Sequence, residues 1–263
     1  MKALRLFIAL LPLLTLLGCS ERQTEPLDGK VSIRIEEGYT YCLASSIPRI
    51  ELLMATQHWY PNSSYRLESD VTVICGAIHV SITGVSHGDG GFDAMTQAGS
   101  STFLDLMPGT YDCCFRYGIF RDHYVVVVTD TSISLSGPDG SFTTPETRLY
   151  WRYPANSFAC ISEARWEDSL VCINFLDTLR SKTWLSEFRF PDSGTTPYPA
   201  FNAGNAYAGP ATYFRCQNWD DFDKAGEVLK AYGRSLSASG RWFHIRLLDW
   251  TNRVYYFYPQ GRG

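Results

Sequence analysis

The chain has 263 residues, 45% of them hydrophobic and 14% aromatic, which is ample material for a buried core and too much for a disordered tail. Its formal charge of −4 excludes the basic balance expected of a nucleic-acid-binding protein. At the N-terminus, Lys2 and Arg5 precede an apolar run from Leu6 to Leu17 broken by Pro12 and Thr15, the pattern of an export signal. The run falls short of the roughly 20 apolar residues that cross a bilayer. Residues 1–18 therefore read as a signal peptide that is removed.

The segment Leu16-Leu17-Gly18-Cys19 resembles the lipobox of bacterial lipoproteins: an aliphatic residue, a small residue, then the cysteine that is lipidated. The resemblance implies a diacylglycerol on Cys19, cleavage before it, and a membrane partner held through the lipid. Buried acyl carbons contribute ~0.8 kcal/mol each, so two or three chains anchor firmly. Ser20, in place of the aspartate that retains enterobacterial lipoproteins in the inner membrane, implies an outer-membrane address facing the periplasm or the cell surface. Residues 19–29 read as a polar, flexible, lipidated tether, and Glu21, Glu25 and Asp28 give it a loose likeness to surface-export signals of Bacteroidota lipoproteins.

Of eight cysteines, Cys19 is assigned to lipid, leaving Cys42, Cys75, Cys113, Cys114, Cys160, Cys172 and Cys216. An odd number cannot all pair internally. In an oxidising compartment one or more disulfides are expected, with the remaining cysteines serving as buried apolar residues.

Period-two alternation dominates from Lys30 onward, the signature of half-buried strands. Val31, Ile33 and Ile35 alternate with Ser32, Arg34 and Glu36. Val71, Val73 and Cys75 share one parity and Ile78, Val80 and Ile82 the other, a slip expected to be a bulge at Gly76. Thr102, Leu104 and Leu106 lead to Pro108-Gly109, after which Tyr111, Cys113, Phe115 and Tyr117 share a face. Tyr124 to Val128 reads as a central strand covered on both sides, followed by Ile133 and Leu135. The stretch Phe103 to Tyr111, with its Pro-Gly turn, resembles the prealbumin-like and fimbrillin-like β-sandwich modules of Bacteroidota surface lipoproteins. That resemblance implies an antiparallel β-sandwich over residues 30–135.

Residues 136–147, rich in Gly, Pro, Ser and Thr, read as a linker or long loop. Beyond them, 148–259 is expected to form a β-rich α+β domain. Its strand candidates are Leu149-Trp151-Tyr153, Val171-Ile173-Phe175, Phe188-Phe190, Phe243-Ile245-Leu247 and Val254 to Tyr258. Its one amphipathic helix spans about 219–236: Phe222, Ala225, Leu229, Tyr232 and Leu236 recur at helical spacing, Asn218 can cap with Asp221, and Lys230 and Arg234 sit near the C-terminus.

Local catalytic signatures are missing from the sequence: no Gly-x-Ser-x-Gly, no His-Glu-x-x-His and no phosphate-binding loop. No cofactor and no metal is assigned. The densest polar group is His87-Gly88-Asp89-Gly90-Gly91-Phe92-Asp93, whose spacing suits oxygen ligation but which lacks the glutamate that completes a calcium loop and reads as turn chemistry. Clusters at Trp59-Tyr60, Tyr150-Trp151-Tyr153, Trp242, Trp250 and Tyr255 to Tyr258 could present rings to a glycan or protein partner, or serve as core. The expectation is a non-catalytic binding, adhesion or fimbria-related lipoprotein. The alternative is a lipid-anchored hydrolase built from His79, His87, His123, Asp89 and Asp93, and convergence of these groups in one cleft would favour it.

Overall fold

The computed structural model describes residues 24–39, 46–197, 206–209, 211–236 and 241–258. Residues 1–18, expected to be a signal peptide, and Cys19 and Cys42 lie outside them. The chain is mainly β and has two parts, each with its own sheet. None of its described helices is long and apolar enough to cross a membrane.

The first sheet is built from β1 (Thr24–Glu25), β2 (Val31–Gly38), β3 (Arg49–Tyr60), β4 (Tyr65–Ile74), β5 (Ala77–His87), β6 (Thr96–Leu104), β7 (Gly109–Tyr117), β8 (Phe120–Val128), β9 (Ser132–Ser136), β10 (Thr143–Pro145) and β11 (Leu149–Trp151). Its order is β10-β2-β3-β6-β4-β5-β7-β8-β9-β11, with β1 added on β5. Most neighbours run antiparallel, whereas β10 on β2, β6 on β4 and β7 on β5 run parallel. The sheet curls around one core, so that Val31, Ile33 and Leu52 from one half share a cluster with Ile78, Phe115 and Val126 from the other. Alternation in the sequence has its cause here: each strand gives one parity to this core and the other to solvent.

Several local expectations change. Gly76 is the tip of a two-residue hairpin, not a bulge: Cys75 and Gly76 have φ of 49° and 80°, and Ile74 pairs with Ala77. Tyr124, Val126 and Val128 are buried while Val125 and Val127 are half-buried, so β8 faces the core on one side only. The expected linker contributes β10, and β11 pairs with β9, so the first sheet extends through Trp151. The stretch expected to be a flexible tether is pinned from Thr24 onward. β1 pairs with β5, the Leu27 N–H donates to the Tyr117 hydroxyl at 3.0 Å, and Asp28 lies 3.0 Å from His58 Nδ1.

The second sheet contains β12 (Ser157–Arg165), β13 (Leu185–Phe188), β14 (Ala206–Ala208), β15 (Thr212–Cys216), β16 (Phe243–Asp249) and β17 (Val254–Phe257), in the order β13-β15-β12-β16-β17 with β14 on β12. Two helices cover one face, not one. Ser169–Arg180 (α1) occupies the stretch expected as a strand, and Asp221–Leu236 (α2) is the expected helix, begun by the Asn218 N–H donating to the Asp221 carboxylate at 2.7 Å. In α1 the buried residues are Val171, Cys172, Phe175 and Leu179, a helical spacing, while Ile173 faces out. Gly226 and Gly233 in α2 lie against the Tyr255 and Phe257 rings of β17, close enough that a Cβ at either would clash.

The six described cysteines are all free, so the disulfides expected from the sequence do not form among the described residues. Burial pushes the Cys113 thiol up to about 12, Cys172 to about 11 and Cys216 to about 12.

Candidate functional site

The helices leave the other face of the second sheet to meet the first. Ala159 and Tyr213 on that face cluster with Tyr153, which follows β11. At the edge of the first part the Glu37 carboxylate accepts from Arg152 Nε and from the Tyr153 N–H, both at 2.8 Å, and so fixes the residue whose ring packs on the second part. The Tyr153 hydroxyl donates to the Leu248 carbonyl at 2.9 Å, and the Tyr39 hydroxyl to the Trp250 carbonyl at 3.2 Å. These bonds hold the two parts at a fixed separation.

The space they leave is a cleft of about 540 Å³, lined from β2 by Arg34, Glu36 and Glu37, by Tyr39, Tyr150 and Tyr153, by Thr195 to Pro197, and by Leu248 and Asn252. Its size matches pockets that take small ligands or short oligomers. The loop bearing Thr195 is fastened to β11, since the Thr195 N–H donates to the Leu149 carbonyl and the Trp151 N–H to the Thr195 carbonyl, each at 2.8 Å. Trp151 also donates from Nε1 to the Ser193 carbonyl at 2.6 Å, which makes it a strut of that loop. Tyr213 donates its hydroxyl to the Pro197 carbonyl.

Charge in the cleft is concentrated on β2. Burial pushes the Glu36 carboxyl above its usual 4.5; Arg34 works against this, and Glu51 and Glu146 add to it. Glu51 stands directly opposite Glu36 on β3. Arg34 bridges the group, with Nε 3.0 Å from Glu36 though out of line for a hydrogen bond, and a terminal nitrogen 3.3 Å from Glu146. Side by side, the Glu36 carboxyl and the Arg34 guanidinium offer an acceptor and a donor to a polar ligand.

A smaller hollow of about 310 Å³ lies at the edge of the second part, lined by Asn156, Asn218, Trp219, Phe222, Trp250 and Arg253 among others. The Arg253 guanidinium sits 5.0 Å over the Phe222 ring and is held by Asp249 at 2.7 Å. These bonds commit its charge to the fold.

The polar residues singled out in the sequence do not line either hollow. His87 is exposed at the end of β5, and Asp89 and Asp93 are exposed on the β5–β6 loop. His79 and His123 are exposed on the outer face of the first sheet, flanking Cys114 in a cross-strand row, with Cys114 Sγ 3.9 Å from His123 Nε2. Among the described residues no group of three His, Cys, Asp or Glu side chains is placed to hold a metal ion. Of the aromatic candidates, Tyr150 and Tyr153 reach the large cleft and Trp250 the small one, while Tyr255 packs under α2. Sequence reasoning placed Arg34 and Glu36 only as outward residues of a strand. The one available signal was two opposite charges on successive outward positions. Comparison with known proteins finds no family model, no curated protein and no solved structure that this chain matches.

Proposed function

We propose that the protein is a lipid-anchored binding module, tethered at Cys19 to the outer membrane and facing the periplasm or cell surface. Its ligand site is the cleft between the two sheets. The observation that carries the reading is the convergence of Tyr39, Tyr150 and Tyr153 with Arg34 and Glu36 around about 540 Å³. Tyrosine rings offer flat apolar faces with a polar edge, and a neighbouring acid and guanidinium supply directional hydrogen bonds. That combination suits a glycan or a short segment of a protein partner, as an adhesion or fimbria-related module would take. The lipobox supports the anchor, and the position of His79, His87, His123, Asp89 and Asp93 outside the cleft favours binding over a hydrolase built from them.

A glycan array probed with the lipidated chain in detergent tests this. Saturable binding that weakens at least tenfold in Arg34→Ala and Glu36→Ala supports the reading; binding that ignores both changes refutes the site. One observation favours a second reading, a lipid-anchored glycoside hydrolase: two carboxylates, Glu36 and Glu51, stand opposite one another on β2 and β3, with Glu36 lining the cleft. Turnover of an aryl glycoside that disappears in Glu36→Gln would decide for it.

A further inference from the structure

The chain enters the fold at the end of the first sheet that carries its most exposed apolar loop. β1 runs antiparallel to the last residues of β5, with Thr24 opposite Ser86 and Glu25 opposite Val85, so Thr24, the first described residue, lies at the His87 end of β5. At the same end β4 begins at Tyr65 opposite His87, and β6 begins at Thr96 opposite Tyr60. The loops there are tied together: the Ser63 N–H donates to the Phe92 carbonyl at 3.1 Å, and the Phe92 N–H to Ser63 Oγ at 2.8 Å. Phe92 is 84% exposed on this tied loop, and Met95 at 61% and Trp59 at 53% lie at the same end of the sheet, Trp59 opposite Gln97. On the hairpin that follows β7, Ile119 is 90% exposed; Tyr117 there stands opposite Ile82, so the hairpin points toward this end from roughly 17 Å short of His87 along β5. Large apolar side chains held outward in a group mark an interaction surface.

The length of chain beyond the structure says what covers it. From Cys19 to Thr24 is five residue steps, a reach of roughly 17 Å at full extension. Because Thr24 to Asp28 is pinned to the body, no further slack is available. Ile74 and Met107 are also exposed, but at the opposite end of β5, roughly 33 Å away along the strand and beyond the tether's reach.

We propose that Phe92, Met95, Ile119 and Trp59 form a membrane-docking surface that rests on the bilayer beside the lipid of Cys19, an inference that rests on the lipoprotein reading above. The occupant is a phospholipid surface of low net charge, since Asp89 and Asp93 flank Phe92 and an anionic surface would repel them. Docking turns a loosely leashed domain into an oriented one, with Trp59 at the headgroup level that tryptophan favours.

The test uses the full chain, produced with labelled palmitate and reconstituted into phosphatidylcholine vesicles whose acyl chains carry bromine, a short-range quencher of tryptophan fluorescence. The expected result is label on the chain that is lost in Cys19→Ser, and quenching that falls at least twofold in Trp59→Phe but is unchanged in Trp219→Phe. Quenching should also fall in the triple change Phe92→Ser, Met95→Ser, Ile119→Ser, and not in Ile74→Ser with Met107→Ser. Labelled chain with unquenched Trp59 overturns the docking surface and leaves the anchor standing. Unlabelled chain overturns both. Self-association abolished by the triple change, without quenching, would assign the patch to a second copy and overturn membrane docking.

Discussion

Glu37 anchors Tyr153, the residue that reaches the second part through its hydroxyl bond to the Leu248 carbonyl: one carboxylate oxygen of Glu37 accepts the Tyr153 N–H at 2.8 Å while the other holds Arg152 Nε at 2.8 Å. The carboxylate is almost fully buried and Arg152 is largely so. Removing one member of such a pair leaves the other uncompensated, at a cost of about 3 kcal/mol. Glu37→Ala should lower the urea midpoint accordingly, and Glu37→Gln, which keeps an acceptor for the Tyr153 N–H, should lose less. Equal midpoints for all three proteins would show that the junction is held by other contacts.

Asp122 should make the first sheet acid-sensitive. Its burial works to raise its pKa, but is outweighed by donors from the Thr143 hydroxyl, the Ser141 and Phe142 N–H groups and the Ser141 hydroxyl, so the carboxyl lies below its usual 3.8. A depressed carboxyl contributes stability that is present above the unfolded pKa and lost as pH falls through the folded one. Stability should therefore drop as pH falls below about 4, and Asp122→Asn should flatten that limb of the curve while costing about 2 kcal/mol at pH 7. A limb of unchanged steepness in the variant would contradict the assignment.

Gly233 should resist replacement although it lies inside a helix. Alanine there would ordinarily stabilise a helix by about 1 kcal/mol. Here its Cβ would run into the Phe257 ring at the root of the side chain, and the ring cannot swing aside because it packs on the core. Overpacking of this kind costs about 1–3 kcal/mol. Gly233→Ala should melt at lower temperature than the parent, and Gly233→Ala combined with Phe257→Leu should recover part of the loss.

Among the six free described cysteines, reactivity should follow exposure. Cys75 at its hairpin tip is exposed, whereas Cys113 and Cys160 are buried with their thiols pushed well above the usual range. Brief alkylation of native protein, mapped by peptide mass spectrometry, should label Cys75 and spare Cys113 and Cys160 until denaturant is added. Early label on Cys160 would refute the packing of β12 against α1.

The sequence by itself determined the character of the elements whose pattern is local. Val31, Ile33 and Ile35 mark a half-buried strand because side chains alternate across a pleat, and Phe222, Ala225 and Leu229 mark a helix because 3.6-residue spacing returns them to one face. Where one spacing satisfies two geometries, tertiary structure decided. Val171, Ile173 and Phe175 fit a strand as written, but the chain buries Cys172 and turns Ile173 outward because α1 has a sheet to cover. The parity slip near Gly76 fits a bulge and a hairpin equally, and pairing of β4 with β5 made it a hairpin. The cleft could not be read at all: Glu36, Tyr150, Pro197 and Leu248 are far apart in the chain, and only the curl of one sheet against the back of the other brings them together.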